Sequence, residues 1–206
     1  MSAARPFRRA VVTGGAGFLG AHVCRRLLEA GTAVVIVRLF NTYGPGMRPD
    51  DGRMVPRFAC QALRGHPLTV AGDGRQTRSL CHVDDTVRGM LLFAASDLRG
   101  PLNIGNPDEA TVLEIARRII GLARSRSTIS YIPRPQDDPM VRRPDITLAR
   151  CELRFEPRVR WQEGLRETLA WFAEQLDPES VPRLEPSLGE IRGAHATTSG
   201  HAVAEP

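Results

Sequence analysis

Gly14, Gly17 and Gly20 stand in a T-G-x-x-G-x-x-G run, a spacing suited to cradling a pyrophosphate. Such glycines let the backbone turn tightly, approach the anion and pack a helix against a strand, and the helix N-terminus adds partial positive charge. With a strand before it and a helix after it, the segment reads as a dinucleotide-binding turn. Gly14, Gly17, Phe18, Leu19 and Gly20 are its cofactor-binding candidates. An adenosine ribose then needs an acid about 20 residues on. None occurs between Glu29 and Asp50. Arg38, near that place, offers the alternative of a cation for a 2′-phosphate.

Other chemistries are closed off by residue type. All 28 basic residues are arginine, so Schiff-base catalysis, a P-loop lysine and a Tyr-x-x-x-Lys dyad are excluded. The two tyrosines, Tyr43 and Tyr131, are followed four residues on by Met47 and Pro135. Cys24, Cys60, Cys81 and Cys151 lack C-x-x-C spacing and read as reduced, mostly buried thiols. Asp137 and Asp138 read as a loop cap rather than an acid–base pair, and His82 as a packing or surface histidine. No catalytic residue and no metal site is assigned.

These residues need elements to hold them. Ala10 to Thr13 reads as a strand feeding the glycine turn, and Val23, Leu27 and Leu28 follow at helical spacing up to Gly31. Residues 33–40 are nearly continuous in apolar, β-branched types, as in a strand of a parallel sheet buried on both faces. Residues 41–53 read as a loop. Helices are expected at about 55–63, from near 84 to 95 with Asp84 or Asp85 as cap, at 111–122 and at 164–176. Short strands are expected at 68–71, 101–104 and 129–132. Beyond Asp177 the periodicity fades, and residues 177–206 read as a disordered tail.

Composition bounds the class. Of 206 residues, 42% are hydrophobic and 25% charged, as in an ordinary globular chain. The net charge of +5 is spread among interspersed acids, so it indicates no nucleic-acid partner and suits anionic small molecules equally well. No apolar run approaches the ~18 residues of a membrane span, and MSAARPFRRA lacks the apolar stretch of a signal peptide. No membrane partner and a cytoplasmic location are the expectation.

From Arg38 onward the motifs come in series: R-L-F-N-T-Y-G-P at 38–45, R-P-D-D-G-R-M-V-P at 48–56 and Q-A-L-R-G-x-P-L-T-V at 61–70. G-D-G-R-Q-T-R-S at 72–79, L-N-I-G-N-P at 102–107 and Q-D-D-P-x-x-R-R-P-D-I at 136–146 complete the set. In this order they resemble the second half of UDP-glucuronic acid decarboxylases (UDP-xylose synthases), extended short-chain dehydrogenase/reductases. T-G-G-A-G-F-L-G resembles the start of the same family. The resemblance implies an α/β fold: an incomplete Rossmann-like parallel sheet with a smaller C-terminal α/β sugar-nucleotide-binding lobe. It divides the chain into a βαβ part over 1–37, the C-terminal part of the family fold over 38–176, and the tail.

Family members carry, between these parts, the ribose acid, a Ser/Thr near the sugar and the Tyr-x-x-x-Lys pair. Here the two parts join directly within Val34 to Val37, and roughly a hundred residues at about 30 per βα unit are lacking. The resemblance implies NAD as cofactor, held weakly or not at all, and a UDP-sugar as ligand. It places Thr42 and Arg53 beside the cofactor and Asn41, Arg78 and Arg142 on the sugar nucleotide, the arginines addressing the diphosphate or nearby groups. Gly46 and His82 depart from the Arg and Tyr of many relatives. In the family, NAD oxidises C4 of the sugar, the β-keto acid loses carbon dioxide and the hydride returns. Lacking the dyad, this chain is expected not to turn over. Three readings stay open: a catalytically incomplete decarboxylase-like chain, a non-catalytic UDP-sugar-binding or regulatory partner of a full-length relative, and a decayed gene product. Removal of central strands also leads to the expectation of self-association.

Overall fold

A computed structural model describes residues 7–176 of the chain. The tail expected to be disordered, 177–206, lies outside the described residues. In chain order the elements are β1 (Arg9–Thr13), α1 (Phe18–Glu29), β2 (Ala33–Leu39), β3 (Thr42–Tyr43), α2 (Met54–Leu63), β4 (Leu68–Ala71), β5 (Thr77–Arg78) and β6 (Cys81–His82). They continue with α3 (Val83–Ala95), β7 (Leu102–Ile104), β8 (Ala110–Thr111), α4 (Val112–Leu122), β9 (Ile129–Ile132), β10 (Val141–Arg142), α5 (Thr147–Leu153) and α6 (Trp161–Gln175).

The Rossmann-like part is a three-stranded parallel sheet, order β1-β2-β7. Its centre is the β-branched run of β2. Val35 and Val37 pack on Phe93, Leu102, Ile104, Ile146, Ala149 and Phe155, so α3 and α5 roof that side of the sheet. β7 belongs to the 38–176 part in sequence and yet pairs with β2, Leu39 lying opposite Ile104. With only three strands to cover, this core is small, and the larger of the two cores lies in the C-terminal lobe. There α2, α4 and α6 enclose Phe58, Leu68, Ile115, Ile119, Leu165 and Phe172. β4 and β9 run parallel beside them.

Two small sheets finish the fold. β3 pairs with β6, and β5 sits between β10 and β8, parallel to the first and antiparallel to the second. None of these two-residue strands is expected from the sequence, β3 lying in the stretch read as a loop and β8 overlapping the helix expected from 111, because two residues are too few to display alternation. α5 was likewise not expected, since seven residues give fewer than two turns of periodicity. α6 begins three residues earlier than the apolar spacing indicates, at the buried Trp161.

Capping differs from expectation at α3. The cap is His82, whose Nδ1 accepts the Asp84 N–H at 3.4 Å, and neither Asp84 nor Asp85 takes that place. Asp85 is drawn inward instead. One of its oxygens accepts the N–H groups of both Arg158 and Val159 at 2.8 Å, and the other accepts from Arg88 at 2.7 Å. A buried carboxylate needs such partners, and the segment entering α6 supplies them. His82 is thus buried and structural, in T-shaped contact with Tyr43.

Candidate functional site

The glycine turn has the geometry its sequence implies. Gly14 takes a positive φ of 63°, its carbonyl accepts the Gly17 N–H at 2.9 Å, and a Cβ on Gly20 would collide with that carbonyl. Gly17 caps α1 without a side-chain bond, and the first turn carries no acid, so the positive helix end is left open. Phe18 and Leu19 both stand in solvent there, Phe18 88% exposed. Thr13 lies opposite Val37 in the parallel register, so the turn and residues 38–42 leave the same carboxyl edge of the sheet. In open α/β sheets that edge is where ligands sit. Arg38, at the end of β2, is exposed.

Beside that edge is a cavity of about 260 Å³ that brings together Asn41, Thr42, Arg53, Arg78 and Arg142. Four different elements supply them. β3 and the residue before it give Thr42 and Asn41, the cap of α2 gives Arg53, and β5 and β10 place Arg78 and Arg142 as register partners. Tyr43, Met47, Met54, Val55 and Leu80 form the rest of the wall. The Gly14–Gly20 residues do not line it.

Polar groups in the cavity differ in how free they are. Asn41 holds a left-handed φ of 35°, which asparagine tolerates better than most residues. Its Nδ2 is buried without a partner among the described residues, a donor left for a ligand. The Thr42 hydroxyl is hydrogen-bonded with Thr86 at 3.0 Å. Arg53 donates to Asp51 at 2.7 Å. Arg78, 11% exposed, is taken up by the carbonyls of Thr77 (2.6 Å) and Pro139 (3.0 Å) and by an ion pair with Asp138. Asp138 also pairs with Arg134, so it is an arginine partner rather than the loop cap the sequence suggested. Arg142 has no ion pair among the described residues and is the cation left open. Three guanidiniums and no carboxylate line the cavity, an arrangement that favours a bidentate anion such as a diphosphate.

Tyr43 is no proton-transfer group. Its buried phenol donates to the Trp161 carbonyl at 3.1 Å, and desolvation, followed by the charges of Cys81 and Asp85, raises its pKa well above the ordinary range. Among the described residues no cluster of His, Cys, Asp and Glu could hold a metal ion. Nor is any described helix long and apolar enough to cross a membrane. Sequence reasoning missed the apolar wall and the Asp138 partner. Met47 and Leu80 flank the quoted motifs and Val55 lies inside one, the one signal that could have found the wall.

A family model, the NAD dependent epimerase/dehydratase family, matches residues 10–37 and 29–105. UDP-glucuronic acid decarboxylase 1 of Danio rerio is 44% identical over 152 residues, 74% of this chain and 36% of that protein. The chain belongs to the NAD-dependent epimerase/dehydratase family. Within that family UDP-glucuronic acid decarboxylase 6 of Arabidopsis thaliana is 47% identical over 137 residues, 66% of this chain and 40% of its own length. The chain therefore spans well under half of these curated relatives. Among solved structures, the UDP-glucuronic acid 4-epimerase from Bacillus cereus in complex with UDP-glucuronic acid and NAD is 28% identical. It aligns with a TM-score of 0.69, covering 76% of this chain and 51% of that one.

Proposed function

We propose that this chain binds a UDP-sugar in the Asn41–Arg142 cavity and does not carry out decarboxylation. The observation that carries the reading is the cavity itself: three arginines without a lining carboxylate, beside an Asn41 amide that, like Arg142, has no partner among the described residues. The decarboxylase and epimerase relatives support a UDP-sugar as the anion. For NAD the fit is partial. The Gly14–Gly20 turn suits a pyrophosphate, but β2 ends on Arg38 and Leu39 where a ribose needs a carboxylate. No hydride step is drawn for this chain.

Loss of turnover rests on composition. Without any lysine there is no Tyr-x-x-x-Lys dyad, and a positioned base contributes about 10²–10⁴-fold. The two family matches overlap across residues 29–37, which supports a direct join of distant family segments there. Calorimetry with UDP-glucuronate tests binding: the wild-type chain gives heat, and Arg142→Ala weakens binding by about tenfold or more. A silent wild-type titration removes the binder and leaves a decayed product. Formation of UDP-xylose from UDP-glucuronate and NAD overturns the inactive assignment.

A second reading, pairing with another copy or with a full-length relative, is favoured by the open apolar face of α3. Val87, Leu91 and Leu92 line a groove there, with Leu91 65% exposed.

A further inference from the structure

A second groove, of about 420 Å³, lies away from the candidate site. Arg142 lines the first cavity and its neighbour Arg143 lines this one, consistent with successive side chains leaving an extended segment on opposite sides. Arg150, Arg158 and Arg160 also line it, against the carboxylates of Asp108 and Glu156. Two of the four cations are already matched. Arg150 is bidentate on Glu156, at 2.5 and 3.1 Å, and Arg143 donates to Glu109 at 3.2 Å. The other two are not. Arg158 has no ion pair among the described residues, and Arg160 approaches Glu163 only at 4.0 Å, both ends well exposed.

The backbone holding these two arginines is fixed. Asp85 accepts the N–H groups of Arg158 and Val159, and Arg88 donates to the Glu156 carbonyl, so the segment is tied to α3 from both ends. Arg160 continues in extended conformation as the cap of α6, without a side-chain cap bond. Arg158 and Arg160 both line the groove, on either side of a bend at Val159. Arg160 caps a fifteen-residue helix, whose positive end adds to the field of the groove. Binding to a segment already ordered avoids much of the entropy of assembling it.

We propose that this groove is a second anion site that takes a diphosphate group between Arg158 and Arg160, independent of the sugar-nucleotide cavity. Two unmatched guanidiniums suit two adjacent phosphoryl groups. The Asp108 carboxylate disfavours a longer, more highly charged chain of phosphates at that end.

The test uses the full chain with Arg142→Ala, which removes the open cation of the first cavity, titrated calorimetrically with inorganic pyrophosphate. Retained binding is expected, and it weakens at least about tenfold when Arg158→Glu and Arg160→Glu are added. Arg158→Gln with Arg160→Gln, milder changes at the same exposed positions, gives the same direction if the reversed chain does not fold. UDP in place of pyrophosphate separates the sources: tighter binding assigns a nucleoside diphosphate, weaker binding a free one, and either loses affinity with the double substitution. Unchanged affinity in both double variants, or no binding by the Arg142→Ala chain at millimolar pyrophosphate, overturns the proposal.

Discussion

Tyr43 and Cys81 lie in neighbouring strands, opposite one residue from each other's partner, and both are shut away from water. Desolvation pushes the Cys81 thiol up from 9.0 to about 11, and it raises the Tyr43 phenol from 10.0 further still. Both groups stay neutral in the fold while the unfolded chain ionises first. Their contribution is fully present below pH 9 and falls as pH rises through 9 to 11 and beyond, because the unfolded state then binds fewer protons. Urea midpoints measured from pH 8 to 11 are expected to fall, and Cys81→Ser is expected to flatten the first part of that fall. At this scale the sequence was informative about type and silent about pairing. Arg78 and Arg142 are both quoted in motifs, yet only the contact of Arg78 with Asp138, sixty residues away, makes Arg142 the open cation. Asp84 and Asp85 both suit a helix start, and which way Asp85 turns depends on backbone donors at Arg158 and Val159.

Among the elements, α4 has the most complete local instructions. Thr111 accepts the Glu114 N–H at 3.1 Å, and the Glu114 carboxylate accepts the Thr111 N–H at 2.7 Å and its hydroxyl at 2.8 Å, the two bonds that lower the Glu114 pKa. This capping box precedes an apolar stripe of Val112, Ile115, Ala116 and Ile119. Thr111→Ala is expected to lose about 1 kcal/mol of stability, read as a lower denaturation midpoint with unchanged slope. Elements with that kind of signal, β2 and α2 to α4, were legible in the sequence to within a residue or so, and α1 was legible as a helix but starts at Phe18, inside the glycine run it was read as following. Those without it were not: long-range pairing defines β3, β5, β6, β8 and β10, and α5 is too short to show a period. They are also the ones that build the cavity: β3, β5 and β10 carry Thr42, Arg78 and Arg142. The resemblance to relatives named Thr42, Arg78 and Arg142 before β3, β5 or β10 could be placed.

For the whole molecule, the two cores are unequal and much apolar surface is left open. Phe18, Leu19 and Val23 on α1 and Val87 and Leu91 on α3 are exposed, at about 25 cal/mol for each Å² that a partner would cover. Sedimentation velocity is expected to show association that grows with concentration. Leu91→Asp is expected to shift it towards the monomer without a lower melting temperature, since Leu91 lies outside both cores. An unchanged distribution places the contact elsewhere.

The sheet order β1-β2-β7 has a consequence in time. Parallel neighbours cannot be joined by a tight turn, and the chain runs from Leu39 through much of the site and the whole of α3 before Leu102 can settle against β2. During synthesis β2 waits with one edge unpaired while more than a third of the described chain emerges. In stopped-flow refolding from denaturant, substitutions at the β2–β7 seam are expected to slow folding more than equally destabilising ones in the larger core.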